Sequence, residues 1–227
     1  MFRFWRDLFK SDNLMQQAFD DTAVMLNEDF AMFKESVRSL RHSDSADLEF
    51  DIYAADKKIN KYEREVRRKV LAHLAVGGPR DVGLGLVLVS VVNDVERIGD
   101  YTKNIAELAK AHPKRLHGFR YEEKLVEVEN HITEKFRQVT EAYSKSDEAL
   151  AARLMTQHKD ITDWCDGVVT EIIKIGAEED IYVGHAVALA LYVRFLKRIS
   201  AHLTNIVSSV VNPFPRIGYR FKENKNK

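Results

Sequence analysis

The chain has 227 residues, of which 45% are hydrophobic and 31% charged, a composition typical of a globular protein rather than a disordered one. The 35 Lys and Arg residues balance 35 Asp and Glu residues, and this zero formal charge argues against a nucleic-acid binder that acts through bulk charge. A single cysteine, Cys165, excludes an internal disulfide and a four-cysteine metal site. We therefore expect a reducing compartment, most simply the cytoplasm.

The N-terminal segment, residues 1–12, combines aromatic and basic side chains in the sequence MFRFWRDLFK. No small-residue cleavage site follows it, so it does not resemble a secretory signal. Two interpretations stay open: the segment docks on a membrane face or a transporter loop, or it packs on the protein as a cap. Elsewhere the longest nearly apolar run, residues 82–92, is eleven residues long. That run is shorter than the roughly 20 residues that a transmembrane helix needs.

Apolar side chains recur every three or four residues between the four prolines, and this spacing predicts six long helices. The predicted helices cover residues 13–41, 46–76, 80–111, 121–145, 147–175 and 179–211. Within the third, the run 82–92 has the composition of a β-strand, but no partner strand is visible in the rest of the sequence. We interpret it as the fully buried start of that helix.

The six predicted helices form two similar sets of three. A shift of 101 residues aligns the third helix with the sixth, giving eight identities in 24 positions without a gap. The sequence therefore predicts an all-α protein made of two tandem three-helix bundles. The expected parts are the N-terminal segment 1–12, repeat one at 13–111, a linker at 112–120, repeat two at 121–211 and a tail at 212–227.

Polar side chains follow one another on the third helix and again on the second. On the third helix they are Asn93, Glu96, Asp100, Asn104 and Glu107; on the second they are Asp56, Asn60 and Glu63. Carboxylates from facing helices commonly form cation sites in bundles, and oxygen ligands suit Mg²⁺, Mn²⁺ or iron. The alternative is a solvated face, in which nearby cations neutralise the acids. The candidates for this are Arg97, Lys57, Lys61 and Arg64.

Two segments of the third helix resemble the signature of the PhoU family of phosphate-uptake regulators. Residues 96–100 are Glu-Arg-Ile-Gly-Asp, and residues 104–107 are Asn-Ile-Ala-Glu. The second-helix pattern over residues 56–63 matches as well. This resemblance implies two related three-helix bundles and a regulatory role without catalysis. It implies contacts with a phosphate transporter or a sensor kinase, and carboxylates that bind metal ions such as Mg, Mn, Fe or Zn. The metal ligands that it implies are Asp56, Asn60, Glu63, Glu96, Asp100 and Asn104.

Repeat two departs from this pattern. Under the 101-residue shift, Glu96 and Asp100 correspond to Lys197 and Ala201. The second helix aligns with the fifth under a shift of 102 residues, which sets Asp56 and Glu63 opposite His158 and Cys165. His158 and Cys165 share a helix face, but two ligands without partners do not complete a metal site. Nearby acids would restore a site if the register differed by one turn; they are Asp160, Asp163 and Asp166. We expect one metal site, in repeat one, and a scaffold or partner surface in repeat two.

Other functions remain open at this point. The chain would also suit an accessory subunit of another type of phosphate permease, or a helical adaptor that binds no metal. An enzyme such as a metal-dependent phosphohydrolase is disfavoured, because no general base or third-helix histidine accompanies the acids. Neither attachment to a membrane surface nor a homodimer is excluded by a neutral helical bundle.

Overall fold

In a computed structural model of the chain, residues 13–77, 79–112, 114–155, 159–175 and 182–219 are described. These residues form seven α-helices and no β-strand. The helices are α1 (Leu14–His42), α2 (Ile52–Gly77), α3 (Val82–Ala111), α4 (Glu122–Lys145), α5 (Glu148–Leu154), α6 (Lys159–Ile175) and α7 (Val183–Val211). The N-terminal segment, His158 and the last eight residues of the tail lie outside the described residues.

Three predicted helix features differ from the structure, and each has a local cause. The second helix begins at Ile52 rather than near residue 46, because the Asp51 carboxylate caps it by accepting the Tyr53 and Ala54 N–H groups. The predicted helix 147–175 is two helices, since α5 ends at Leu154 and α6 begins at Lys159. The start of α3 is helical as predicted but is not fully buried: its Val82 and Leu86 side chains are each 40% exposed.

The predicted two-bundle architecture is confirmed. Helices α1, α2 and α3 pack on one another, and α7 packs against α4, α5 and α6. The bundles meet where α3 contacts α7 and α1 contacts α4, and one cluster of buried apolar side chains runs through both. Stacked Phe19 and Tyr143 rings, 4.5 Å apart, join α1 to α4. Among the described residues, no helix combines the length and the apolar character needed to cross a membrane.

A buried ionic junction at the end of α1 also joins the two repeats. Arg41 is only 4% exposed. Its guanidinium donates to the Glu129 carboxylate at 2.8 Å and to the Glu122 carboxylate at 2.6 Å. It also donates to the carbonyl of Leu116 in the linker. The Tyr192 hydroxyl on α7 donates to Glu129 at 2.7 Å. These contacts fix the orientation of α4 and α7 relative to repeat one.

Candidate metal centre

Packing of α2 against α3 brings the acids predicted on these two helices to one surface. One face of α3 is buried in the bundle, which turns the acids of this helix toward α2; the residues of the buried face are Val91, Val95, Ile98, Thr102 and Ile105. The Lys103 ammonium lies 3.0 Å from Asp56 Oδ1 on α2 and 3.1 Å from Asp100 Oδ1 on α3. Asp56 also accepts a 3.3 Å hydrogen bond from the Asn60 amide. The two helices therefore converge on Lys103.

A further carboxylate, Asp29 on α1, lies behind these acids, and the sequence pattern did not predict it. Asp29 is completely buried, and neither of its oxygens has a hydrogen-bond partner. A Cβ added at Gly99 would lie 2.9 Å from Asp29 Oδ1, so the carboxylate reaches α3 where that helix has no side chain. A buried polar group without a partner costs free energy, which makes Asp29 an unusual choice for a purely structural position.

Burial and neighbouring carboxylates raise the pKa of two of these acids, Asp29 and Glu96. Burial, followed by the charges of Glu96 and Asp56, holds the pKa of Asp29 well above its ordinary value. Burial also raises the pKa of Glu96, and the charges of Asp100 and Glu63 add to the shift. These five acids form what we call the acidic cluster: Asp29, Asp56, Glu63, Glu96 and Asp100. Where these acids are ionised, their mutual repulsion favours a nearby cation.

Basic side chains neutralise part of the acidic cluster. Lys103 is one; although burial works against its charge, its bonds with Asp56 and Asp100 raise its pKa. Arg97 lies 3.4 Å from Asp100 and 3.6 Å from Glu96, as the sequence suggested. The other predicted neutralising cations point elsewhere: Lys57, Lys61 and Arg64 make no ion pair with the cluster among the described residues. Arg67 instead pairs with Glu63 at 2.7 Å.

The acidic cluster fits a hard metal ion in its donor chemistry. All its donors are carboxylate oxygens, and the unpartnered Asp29 oxygens are available behind Glu96 and Asp100. As the side chains stand, no three His, Cys, Asp or Glu residues of the described chain are close enough to share a metal. Lys103 stands between two of the acids instead. Asn104, also a predicted ligand, is half-buried and makes no hydrogen bond with them among the residues described.

The described residues of repeat two hold no equivalent cluster. Lys197, which aligns with Glu96, donates to both oxygens of Asp166 at 2.6 Å. Cys165 is fully buried, and burial raises the pKa of its thiol to about 12, which disfavours the thiolate that a metal would need. Its predicted neighbour His158 lies outside the described residues. Asp166, which the sequence offered as a replacement ligand, is the ion-pair partner of Lys197.

Sequence comparison identifies a protein family and two relatives. The family described as "PhoU domain" matches residues 23–109 and 125–210, which are most of repeat one and most of repeat two. A relative in Clostridium acetobutylicum, the "Phosphate-specific transport system accessory protein PhoU homolog", is 23% identical over 70% of this chain and 74% of its own length. "Phosphate-specific transport system accessory protein PhoU" from Edwardsiella tarda is 22% identical over 73% of this chain and 68% of its own length.

Two solved structures share the fold. PhoU from Pseudomonas aeruginosa superposes with a TM-score of 0.77 at 20% identity, covering 87% of this chain and 95% of that one. The phosphate transport system regulatory protein PhoU from Streptococcus pneumoniae gives a TM-score of 0.74 at 17% identity, covering 96% of this chain and 99% of that one. At these identities the superpositions establish the helical architecture.

Proposed function

Because the chain belongs to the PhoU domain family, we propose that it is a cytoplasmic regulator of phosphate uptake whose state depends on a metal ion at the acidic cluster. Accessory proteins of phosphate-specific transport systems are its relatives, which supports a transporter or an associated sensor kinase as the partner. The observation that carries the metal proposal is Asp29: a fully buried carboxylate, without a partner, beside four other acids.

In this proposal Asp56 and Glu63 hold the ion from α2, Glu96 and Asp100 hold it from α3, and Asp29 supports it from α1. When bound, the ion supplies positive charge to a cluster that Lys103 and Arg97 neutralise only in part. Binding would free Lys103 from Asp56 and Asp100. This changes the charge presented by the surface of α2 and α3, and a partner that distinguishes the two arrangements would shift their populations.

Calorimetry with Mg²⁺, Mn²⁺, Fe²⁺ and Zn²⁺ tests the metal proposal. The variant Glu96→Ala/Asp100→Ala removes the α3 donors, and Asp160→Ala/Asp163→Ala removes two exposed acids from repeat two as a matched control. We expect saturable binding to the wild type and the control, with binding lost in the first variant while its circular dichroism is unchanged. Equal binding by both variants would refute the site.

A metal-free adaptor is the second candidate, and the position of Lys103 favours it. The ammonium already bridges Asp56 and Asp100, as an ion would. Under this alternative the wild type binds none of the four ions and still captures a transporter component or sensor kinase in a pull-down. Capture that depends on added metal would favour the first proposal instead.

A further inference from the structure

The outward face of α2 carries a row of cations that the acidic cluster does not use. Lys57, Lys61, Arg64 and Arg68 follow one another at steps of four, three and four residues, so they lie in one line along the helix. All four are exposed. At 1.5 Å per residue the row is roughly 16 Å long. It is a continuous basic stripe on a protein whose total charge is zero.

Few acids neutralise this stripe. Lys57, Lys61 and Arg64 have no ion-pair partner within the described part of the chain, whereas Arg68 pairs with Glu65 at 2.6 Å. The other acids of α2 lie on a different side of the helix. There Asp56 bonds to Lys103 and Glu63 to Arg67. The cations therefore face solvent as a surplus of positive charge.

Apolar side chains continue the same face toward the end of α2. Leu71 is 71% exposed, Ala72 and Ala75 are exposed on the same side, and Val76 beside them is 91% exposed. Single exposed apolar residues are common, but a group of neighbours at a helix end marks a surface that contacts something. We call this surface, Lys57 to Arg68 followed by Leu71 to Val76, the α2 outer face.

The start of α1 lies near the apolar end of this surface. Ion pairs join Glu28 to Lys58 and Asp21 to Lys69, each at 2.6 Å, so α1 runs antiparallel to α2. Asn13, at the start of α1, therefore lies at the end of the bundle where Leu71 and Val76 are exposed. The sequence of residues 1–12 is itself rich in aromatic and basic side chains.

We propose that the α2 outer face binds an anionic lipid bilayer directly. Its cations would contact acidic headgroups, each contributing about 1 kcal/mol at a charged surface, which corresponds to roughly fivefold in affinity. Leu71 and Val76 would enter the boundary between headgroups and acyl chains. The cations form one row of a single charge sign next to exposed apolar side chains, an arrangement that matches the charged headgroups of a bilayer and the apolar boundary beneath them. This inference goes beyond the proposed function and does not depend on metal binding.

Flotation with vesicles tests this surface. We expect the full chain to float with vesicles of phosphatidylcholine and phosphatidylglycerol in equal parts, and to remain free with phosphatidylcholine alone. Raising the salt from about 0.1 M to about 1 M shortens the Debye length from ~10 Å to ~3 Å and should release most of the protein. The variant Lys57→Gln/Lys61→Gln/Arg64→Gln should bind roughly 100-fold more weakly.

A matched control removes the same charge elsewhere. Lys124→Gln/Arg137→Gln/Lys145→Gln replaces three exposed cations of α4 and should bind as the wild type does. Leu71→Gln/Val76→Gln tests the apolar end and should weaken binding about tenfold, an effect that persists at high salt. If the α2 cation variant floats like the control, or if the wild type never floats with phosphatidylglycerol, the inference is wrong. In the first case another segment makes the contact; in the second the stripe suits an acidic protein surface.

Discussion

The two repeats place opposite charges beside equivalent positions of their last helices. Gly99 of α3 corresponds to Ser200 of α7 under the 101-residue shift. Asp29 lies against Gly99 without a partner, whereas the Lys135 ammonium donates to the Ser200 carbonyl at 2.9 Å and to the Thr204 hydroxyl at 2.7 Å. Burial disfavours the charged form of both groups: it raises the pKa of Asp29 and lowers the pKa of Lys135 to about 7.

The two repeats therefore differ in their polar chemistry. In repeat two, Lys197 bonds to both oxygens of Asp166, and Lys135 bonds to the Ser200 carbonyl and the Thr204 hydroxyl. Repeat one keeps an excess of carboxylates after Lys103 and Arg97 are counted. One helical scaffold therefore carries a candidate metal centre in one copy and, in the other, a buried lysine bonded to Ser200 and Thr204. Their buried apolar positions are shared, so the fold places little constraint on this polar chemistry.

The buried ionic junction joins the two repeats, so we expect them to unfold as one unit. Arg41→Met removes the centre of this junction and should have the largest effect on stability. It leaves Glu129 buried with only the Tyr192 hydroxyl as a partner. Removing one partner of a buried ion pair costs about 3–5 kcal/mol, so we expect a loss of that size in urea unfolding. Arg137→Met, which removes a surface cation, is the control and should leave the midpoint unchanged. Two separate transitions in the wild type would show that the repeats unfold independently.

Lys135→Met tests how the buried lysine of repeat two affects stability at different pH values. The folded Lys135 pKa of about 7 is below the unfolded value of 10.5, so between these pH values the unfolded chain binds more protons and wild-type stability rises with pH. Below about pH 7 the ammonium is buried in its charged form. We expect the methionine variant to be more stable by about 2 kcal/mol at pH 6, with the difference shrinking toward pH 10. Urea unfolding at several pH values measures this. A less stable variant at pH 6 would mean that the hydrogen bonds of Lys135 outweigh its burial.

The sequence predicted the helices well because apolar spacing reflects burial directly. It predicted that α2 and α3 acids would converge because a family pattern joins them. Asp29 escaped notice because it is distant in sequence from the other acids. One signal was present: a charged residue occupies a position in the apolar series of α1, between Leu26 and Met32. The partner of Asp56 and Asp100 was also missed, since Lys103 reaches back across α3 and only side-chain direction reveals it.

Lys103→Met sharpens the comparison at the candidate metal centre. The ammonium competes with any ion for Asp56 and Asp100, so its removal should tighten metal binding on the order of tenfold. Calorimetry with the tightest-binding of the four ions measures the change. Lys197→Met removes a lysine–aspartate pair of repeat two and should leave metal affinity unchanged. Weaker binding in Lys103→Met would mean that the lysine organises the acids instead of competing for them.

The smallest expected change in stability comes from replacing one glycine in each repeat by alanine. Ala at position 99 would place a Cβ 2.9 Å from Asp29 Oδ1, and the buried carboxylate has no solvent to move into. We expect Gly99→Ala to destabilise the protein by about 1 kcal/mol, because crowding exceeds the gain in helix propensity. A Cβ added at Gly167 of α6 would meet no neighbouring side chain within 4 Å, so Gly167→Ala should stabilise by about 0.5–1 kcal/mol. If both substitutions stabilise equally in urea unfolding, Asp29 does not press against α3, and the acidic cluster loses its innermost member.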